Sequence, residues 1–214
     1  MIETKDLQKV YDNAVLKYPD FTANKGDFVL ICGASGTGKS TLCEMIAKFI
    51  SQSSGEILLN KMDINKLNVF ENIHYLSQFP DHNLIGPTCF EEVELWLRGQ
   101  ESIGREQKRS GDFQSSSSHL DKFLLSDMID RPIWKLSFGK KKALAFCCLD
   151  MINRDVWVLD EPFAGLDAEI IEVTKNMFHE FIGNGGIIIA TSHTDKGFEE
   201  FKTKCLFLYY SNSI

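Results

Sequence analysis

No stretch of this sequence approaches the ~18 consecutive apolar residues that a membrane-spanning helix requires, and the opening residues, MIETKDLQKVYDN, lack the basic segment and apolar run of a secretory leader. Any role at a membrane is therefore expected to pass through partners. Basic residues are in deficit as well: 23 Lys and Arg stand against 30 Asp and Glu, a formal charge of -7. That balance argues against a protein whose main work is to grip nucleic acid through its phosphates, while leaving room for a local basic patch. The six cysteines (32, 43, 89, 147, 148 and 205) form no Cys-x-x-Cys pair and have no nearby His at zinc spacing, so they are expected to be small buried residues of a reduced, cytosolic protein. No internal repeat is visible. What is present is an ordinary globular composition, 43% hydrophobic and 25% charged over 214 residues, enough for one α/β core with a small inserted subdomain.

The pattern along the chain is that of an α/β protein. Short apolar runs separated by turn residues open the sequence, and β-rich FVLIC leads straight into glycines. TLCEMIAKFI places Leu42, Met45, Ile46 and Phe49 on one helical face, which gives the order strand, Gly-rich loop, helix. GEILLN and ENIHYLS are further strand candidates. From about Thr88 to Trp134 the chain turns polar and helical, with FEEVELWLRGQ and HLDKFLLSDMI as periodic pieces and the serine-rich GREQKRSGDFQSSSSH expected as a surface loop between them. VWVLD and GIIIATSH are continuous apolar runs, the pattern of parallel strands buried on both faces, with a helix, IIEVTKNMFHEFIG, between them. A parallel α/β core with a helical insert at about residues 80–135 is the architecture expected.

Two motifs carry chemistry. GASGTGKST (Gly33, Ala34, Ser35, Gly36, Thr37, Gly38, Lys39, Ser40, Thr41) fits G-x-x-x-x-G-K-[ST] between a predicted strand and a predicted helix. Its glycines let successive backbone N–H groups point at phosphates at a helix N-terminus, Lys39 adds a point charge, and Ser40 offers a hydroxyl to Mg²⁺. In VWVLDEP an apolar strand ends in two acids. Asp160 suits a Mg²⁺ site, directly or through water, and Glu161, pointing elsewhere, suits the polarisation of an attacking water.

With these residues the chain resembles the ATP-binding-cassette (ABC) ATPases over nearly its whole length and in the right order. The resemblance implies a P-loop NTPase fold with a mostly parallel core sheet, an N-terminal antiparallel β subdomain and an inserted helical subdomain. It implies a Walker A loop at Gly33–Thr41, a Q-loop glutamine at Gln78, a Walker B aspartate and catalytic glutamate at Asp160 and Glu161, a D-loop at Gly165–Asp167, a switch histidine at His193 and an adenine-stacking Tyr11. LSFGKKKALAF aligns with the family's Leu-Ser-Gly-Gly-Gln signature without a gap to Asp160, which implies that Ser137 and Gly139 contact ATP held by an opposite subunit. Phe138, Lys140 and Ala143 depart from the pattern. Cations in a helix's first turn oppose its dipole, and a phosphate contact by Lys140 and a solvated basic surface both fit Lys140–Lys142.

QFPDHNLIGPTCFEEVEL resembles the corresponding segment of energy-coupling-factor ATPases, importers of metals and vitamins: Pro80, Asp81, Thr88, Glu91, Glu92 and Val93 match, and Phe79, His82 and Asn83 differ. FEEVE would also cap a helix whatever its function. The sequence closes on CLFLYYSNSI, so a minimal cassette is expected. Implied are ATP and Mg²⁺ as ligands, catalysis by Lys39, Glu161 and His193, a second cassette and transmembrane subunits as partners, no nucleic acid, and a place at the cytoplasmic face of the membrane held by those partners. A soluble non-transport ABC ATPase, or a cassette that binds ATP with weak hydrolysis, would share these motifs.

Overall fold

The computed structural model describes residues 1–12, 14–102, 113–152 and 154–209. Two compact units emerge: Met1–Gln78 with Arg154–Pro162 and Phe178–Ile214, and Phe79–Asn153 with Phe163–Met177.

The first unit holds both sheets. β1 (Ile2–Tyr11), β2 (Ala14–Lys17), β3 (Phe21–Ala23), β5 (Ser54–Leu59) and β6 (Met62–Asp63) make an antiparallel sheet in the order β2-β1-β5-β6, with β3 also on β1. β4 (Phe28–Gly33), β7 (Ile73–Leu76), β8 (Val156–Leu159), β9 (Ile187–Ser192) and β10 (Lys204–Leu208) make a wholly parallel sheet in the order β10-β4-β9-β8-β7. The continuous apolar runs are explained by burial on both faces. Val29, Ile31, Val156, Val158, Ile187 and Ile189 share a core with the antiparallel sheet and with helix α1 (Lys39–Ile46). The alternate residues face the other way, where Phe28 meets Phe178, Phe198 and Phe201 with ring centroids 5.6–6.0 Å apart, and Trp157 stacks on Phe181 at 3.6 Å.

The second unit is helical. α2 (Cys89–Ser102) begins under a side-chain cap: Glu91 N–H donates to Thr88 Oγ1 at 3.3 Å while the Thr88 hydroxyl donates to the Glu91 carboxylate at 2.7 Å. Glu92 is fully buried; its carboxylate accepts from the Ile85 N–H at 2.8 Å, from the Gly86 N–H, and from Trp96 Nε1 at 2.7 Å. The paired acids thus organise their own helix and the loop before it. α3 (Phe113–Lys122) takes in the last seven residues of the serine-rich stretch, which corrects the expected loop there: Ser116 is buried and donates to the Glu94 carboxylate on α2 at 2.5 Å, so a polar residue becomes an inter-helix contact. The part of that expected loop at 103–112 lies outside the described residues. The expected HLDKFLLSDMI helix ends early, at Lys122, just before Leu124 at φ 57°, and a 3₁₀ turn follows at Ser126–Met128. α4 (Phe138–Asp150) packs on α2 and α3, so the unit runs past residue 135. α5 (Ala168–Gly183) starts under a cap from Asp167, whose Oδ1 accepts from the Ile170 N–H at 3.0 Å.

Five of the six cysteines are buried and Cys205 is partly so; none forms a disulfide, and burial pushes the thiols of Cys43, Cys147 and Cys148 well up. Among the described residues no helix is long and apolar enough to cross a membrane, and no cluster of three or more metal-ligating side chains occurs.

His74 lies on β7 in register with Trp157, and burial, followed by the nearby Arg154 cation, lowers its pKa to about 4. Since the folded pKa is depressed below about 6.5, stability is complete above that pH and declines as pH falls toward 4, where the unfolded chain binds the proton first. The expected loss over that window is up to about 3 kcal/mol. Urea titrations of wild type and His74→Gln at pH 7 and pH 4.5 check this; the variant should show a shallower acid-side decline.

Candidate functional site

The parallel register brings three strand ends to one edge. β4 pairs Cys32 with Ser192 of β9, and β9 pairs Ala190 with Leu159 of β8. The loop after β4, the acids after β8 and the histidine after β9 therefore emerge side by side, at the carboxyl ends of the strands where α/β sheets bind ligands.

The loop from Gly33 curls into α1 through Gly38, whose φ of 91° favours glycine and where a Cβ would sit 2.8 Å from both the Leu16 side chain and the Tyr18 hydroxyl. Thr37 is buried and pins the loop by donating its hydroxyl to Ala34 O at 2.9 Å. Lys39, only 6% exposed, donates to Gly33 O at 2.8 Å and Ala34 O at 3.1 Å; its Nζ is 3.7 Å from Glu161 Oε1 and 3.4 Å from His193 Nδ1. His193 Nε2 lies 3.4 Å from the same Glu161 oxygen. Three charged or titratable groups from three segments thus converge on one point.

They open onto a cavity of about 390 Å³, a size suited to a nucleotide-sized ligand. Its floor is the phosphate loop, with Ser35, Gly36, Gly38, Ser40 and Thr41 on the wall. Gln78 closes one side, and Tyr11, nearly half exposed at the end of β1, stands at the rim. Asp160 is not on that wall: it is 3% exposed, and its Oδ1 accepts from the Thr191 hydroxyl at 2.5 Å. The donor set, an ammonium and backbone amides at a helix N-terminus beside hydroxyl, amide and carboxylate oxygens, suits a polyphosphate carrying a hard divalent cation.

Thr191 is the residue that sequence reasoning missed. Fully buried on β9, it gives its proton to Asp160 and accepts from the Glu161 N–H at 2.9 Å. That second bond holds Glu161 at φ 49°, a left-handed conformation costly for a side-chain-bearing residue, and lets its carboxylate reach the cavity while Asp160 stays behind. The available signal was a hydroxyl two residues before His193 in an apolar strand. Tyr18 is a second omission; its hydroxyl donates to Gly38 O at 3.1 Å, and no sequence pattern marked it.

Ser137, Gly139 and Asp167 belong to the second unit. Ser137 caps α4, accepting from the Lys140 N–H at 3.4 Å, and Asp167 caps α5. The three lysines that follow each reach an acceptor within the second unit: Lys140, partly exposed, donates to Leu124 O at 3.2 Å, Lys141 pairs with the exposed Asp81 at 2.5 Å, and the buried Lys142 donates to Ala164 O at 3.2 Å. Internal acceptors thus offset the helix-dipole cost inferred from sequence.

The family model described as "ABC transporter" matches residues 16–164. The chain belongs to the ABC transporter ATP-binding family. It is 31% identical over 179 residues to the cytochrome c biogenesis ATP-binding export protein CcmA of Reclinomonas americana, covering 82% of this chain and 77% of that one. It is 30% identical over 197 residues to a putative ABC transporter ATP-binding protein of Pyrococcus furiosus, covering 90% and 71%. In fold it matches the structure of an ATP-binding subunit of an ABC transporter with a TM-score of 0.80 at 20% identity, covering 98% of this chain and 86% of that one. A dimeric cassette in a post-hydrolysis state with ADP and Pi matches with a TM-score of 0.77 at 22% identity, covering 100% and 98%. As a member of this family the chain is an ATPase that binds ATP with Mg²⁺.

Thr191→Val keeps the shape and removes both hydrogen bonds. The expected result is a drop in kcat for ATP hydrolysis of about tenfold or more with nucleotide affinity little changed, because the acids lose their orientation while the phosphate loop stays intact. Steady-state ATPase assays alongside binding of a fluorescent nucleotide check it.

Proposed function

We propose that this chain is the motor subunit of an ABC transporter, pairing head to tail with a second cassette, identical or paralogous, around two ATP molecules and driving a transmembrane partner at the cytoplasmic face of the membrane. One observation carries the assignment of roles: Lys39, Glu161 and His193 meet within 3.4–3.7 Å at the mouth of the phosphate-loop cavity.

In this reading the loop amides and Lys39 bind the phosphates, and Tyr11 at the rim stacks on the base. Ser40 and Gln78 from the wall, with Asp160 behind them, hold Mg²⁺, which when bound offsets the charge of the γ-phosphate. Glu161 orients and deprotonates the attacking water, and His193 keeps the γ-phosphate in line with it. Lys39, now turned on the Gly33 and Ala34 carbonyls, exchanges these for phosphate oxygens. Ser137, Gly139 and Asp167 act on the nucleotide of the opposite subunit.

The finer assignment, import of a metal ion or vitamin in the energy-coupling-factor manner, is supported by the match of Pro80, Asp81, Thr88, Glu91, Glu92 and Val93. The roles of Glu91 and Glu92 in capping α2 and bracing Ile85 and Gly86 give part of that match a structural cause. Export is the second reading, favoured by the relatives described as export proteins at 31% and 34% identity. Co-purification of the membrane partner followed by transport in sealed vesicles decides between them.

Glu161→Gln should bind ATP with near-normal affinity, hydrolyse it at least about a hundredfold more slowly, and accumulate as an ATP-dependent dimer. Size-exclusion chromatography with and without MgATP, together with phosphate release, checks this; normal turnover removes Glu161 from its role.

A further inference from the structure

The segment Phe163–Asp167 between β8 and α5 is held to the first turns of α4 by three adjacent contacts, all within the second unit. At Gly165 (φ 76°) a Cβ would lie 2.6 Å from Phe138 Cδ1, so the Phe138 ring occupies the space that a side chain would take. At Gly139 a Cβ would lie 2.7 Å from Gly165 O, so helix and segment touch backbone to backbone. One turn later Lys142, 3% exposed, sends its ammonium to Ala164 O at 3.2 Å, with Nζ 5.8 Å from the centre of the Phe138 ring. An ammonium this deeply buried is held by its acceptors and by the face of the ring, so its position is set by the segment it binds.

We propose that Lys142 and Phe138 are positioning residues that clamp Phe163–Asp167 onto the N-terminal turn of α4, making Ser137, Gly139 and Asp167 one rigid surface presented to the second subunit. This rests on the proposed head-to-tail pairing. Without the clamp, Asp167 and the α4 cap would be placed independently, and closing on the opposite nucleotide would have to order both. The clamp also gives the departure at Phe138 a structural role, since the bulk of Phe138 and the buried charge of Lys142 serve the same segment.

Lys142→Met, which keeps length and removes the charge, is expected to lower kcat about tenfold with KM for ATP within about twofold, because the variant's own phosphate loop is untouched. Backbone amides of Gly165–Asp167 should exchange with deuterium about tenfold faster. Lys142→Arg, which restores a buried cation, should recover most of both. Phe138→Leu, at a residue 40% exposed and so well tolerated for folding, should shift both readouts in the same direction by a smaller factor. Unchanged exchange in Lys142→Met and Phe138→Leu overturns the clamp, as does faster exchange with unchanged kcat, since the segment's order then has no part in turnover. These outcomes are separated from failure of the parent reading by Glu161→Gln: if that variant forms no ATP-dependent dimer, the pairing itself is overturned, and if it does, the clamp stands or falls alone.

Discussion

The register of three parallel strands is the constraint on which the rest of the site depends. Because β4, β9 and β8 run side by side in the same direction, Cys32, Ser192 and Leu159 end near one level, and the segments that follow them must emerge together. Parallel pairing requires long crossovers, which here include the helical unit and α5, and it buries both faces of each strand. Residues separated by 154 positions, Lys39 and His193, thereby come within 3.4 Å.

A second level of control lies in one hydroxyl. Asp160 and Glu161 are consecutive carboxylates, and two like charges so close would resist sharing a site. Thr191 separates their functions by donating to the first and accepting from the backbone of the second, while the left-handed turn at Glu161 sends the two carboxylates in different directions. Lys39 and His193 then meet Glu161 but leave Asp160 to Thr191. In the second unit polar residues behave similarly: Glu92, Ser116 and Lys142 are buried, each with hydrogen-bonding partners, and each fastens a loop or a helix rather than facing water.

Much of the candidate site was legible in the sequence because its signals are local. A glycine-rich loop before a helix has to satisfy backbone geometry within nine residues, and VWVLDEP and GIIIATSH advertise buried strands by uninterrupted apolar side chains. The serines at 115–118 were misleading because composition alone reads such a run as loop, whereas the burial of Ser116 depends on Glu94, 22 residues away. Lys140–Lys142 were ambiguous for the same reason: their acceptors at Leu124, Asp81 and Ala164 are distant in sequence, so a helix start loaded with cations fitted a phosphate contact and a solvated basic surface alike.

The glycine-rich loop before a helix, the acidic strand end, the histidine that follows a buried strand and the order in which they occur can all be read from the sequence, since each is specified by neighbours a few residues away. Which oxygen each side chain meets emerges from long-range packing: Glu161 rather than Asp160 lines the cavity, Thr191 and Tyr18 support it, and Phe138 and Lys142 close on Gly165 and Ala164. The reason is physical. Periodicity and turn chemistry act over single turns and strands, whereas hydrogen bonds between buried polar groups are settled by strand register and helix packing, which join residues tens to hundreds of positions apart.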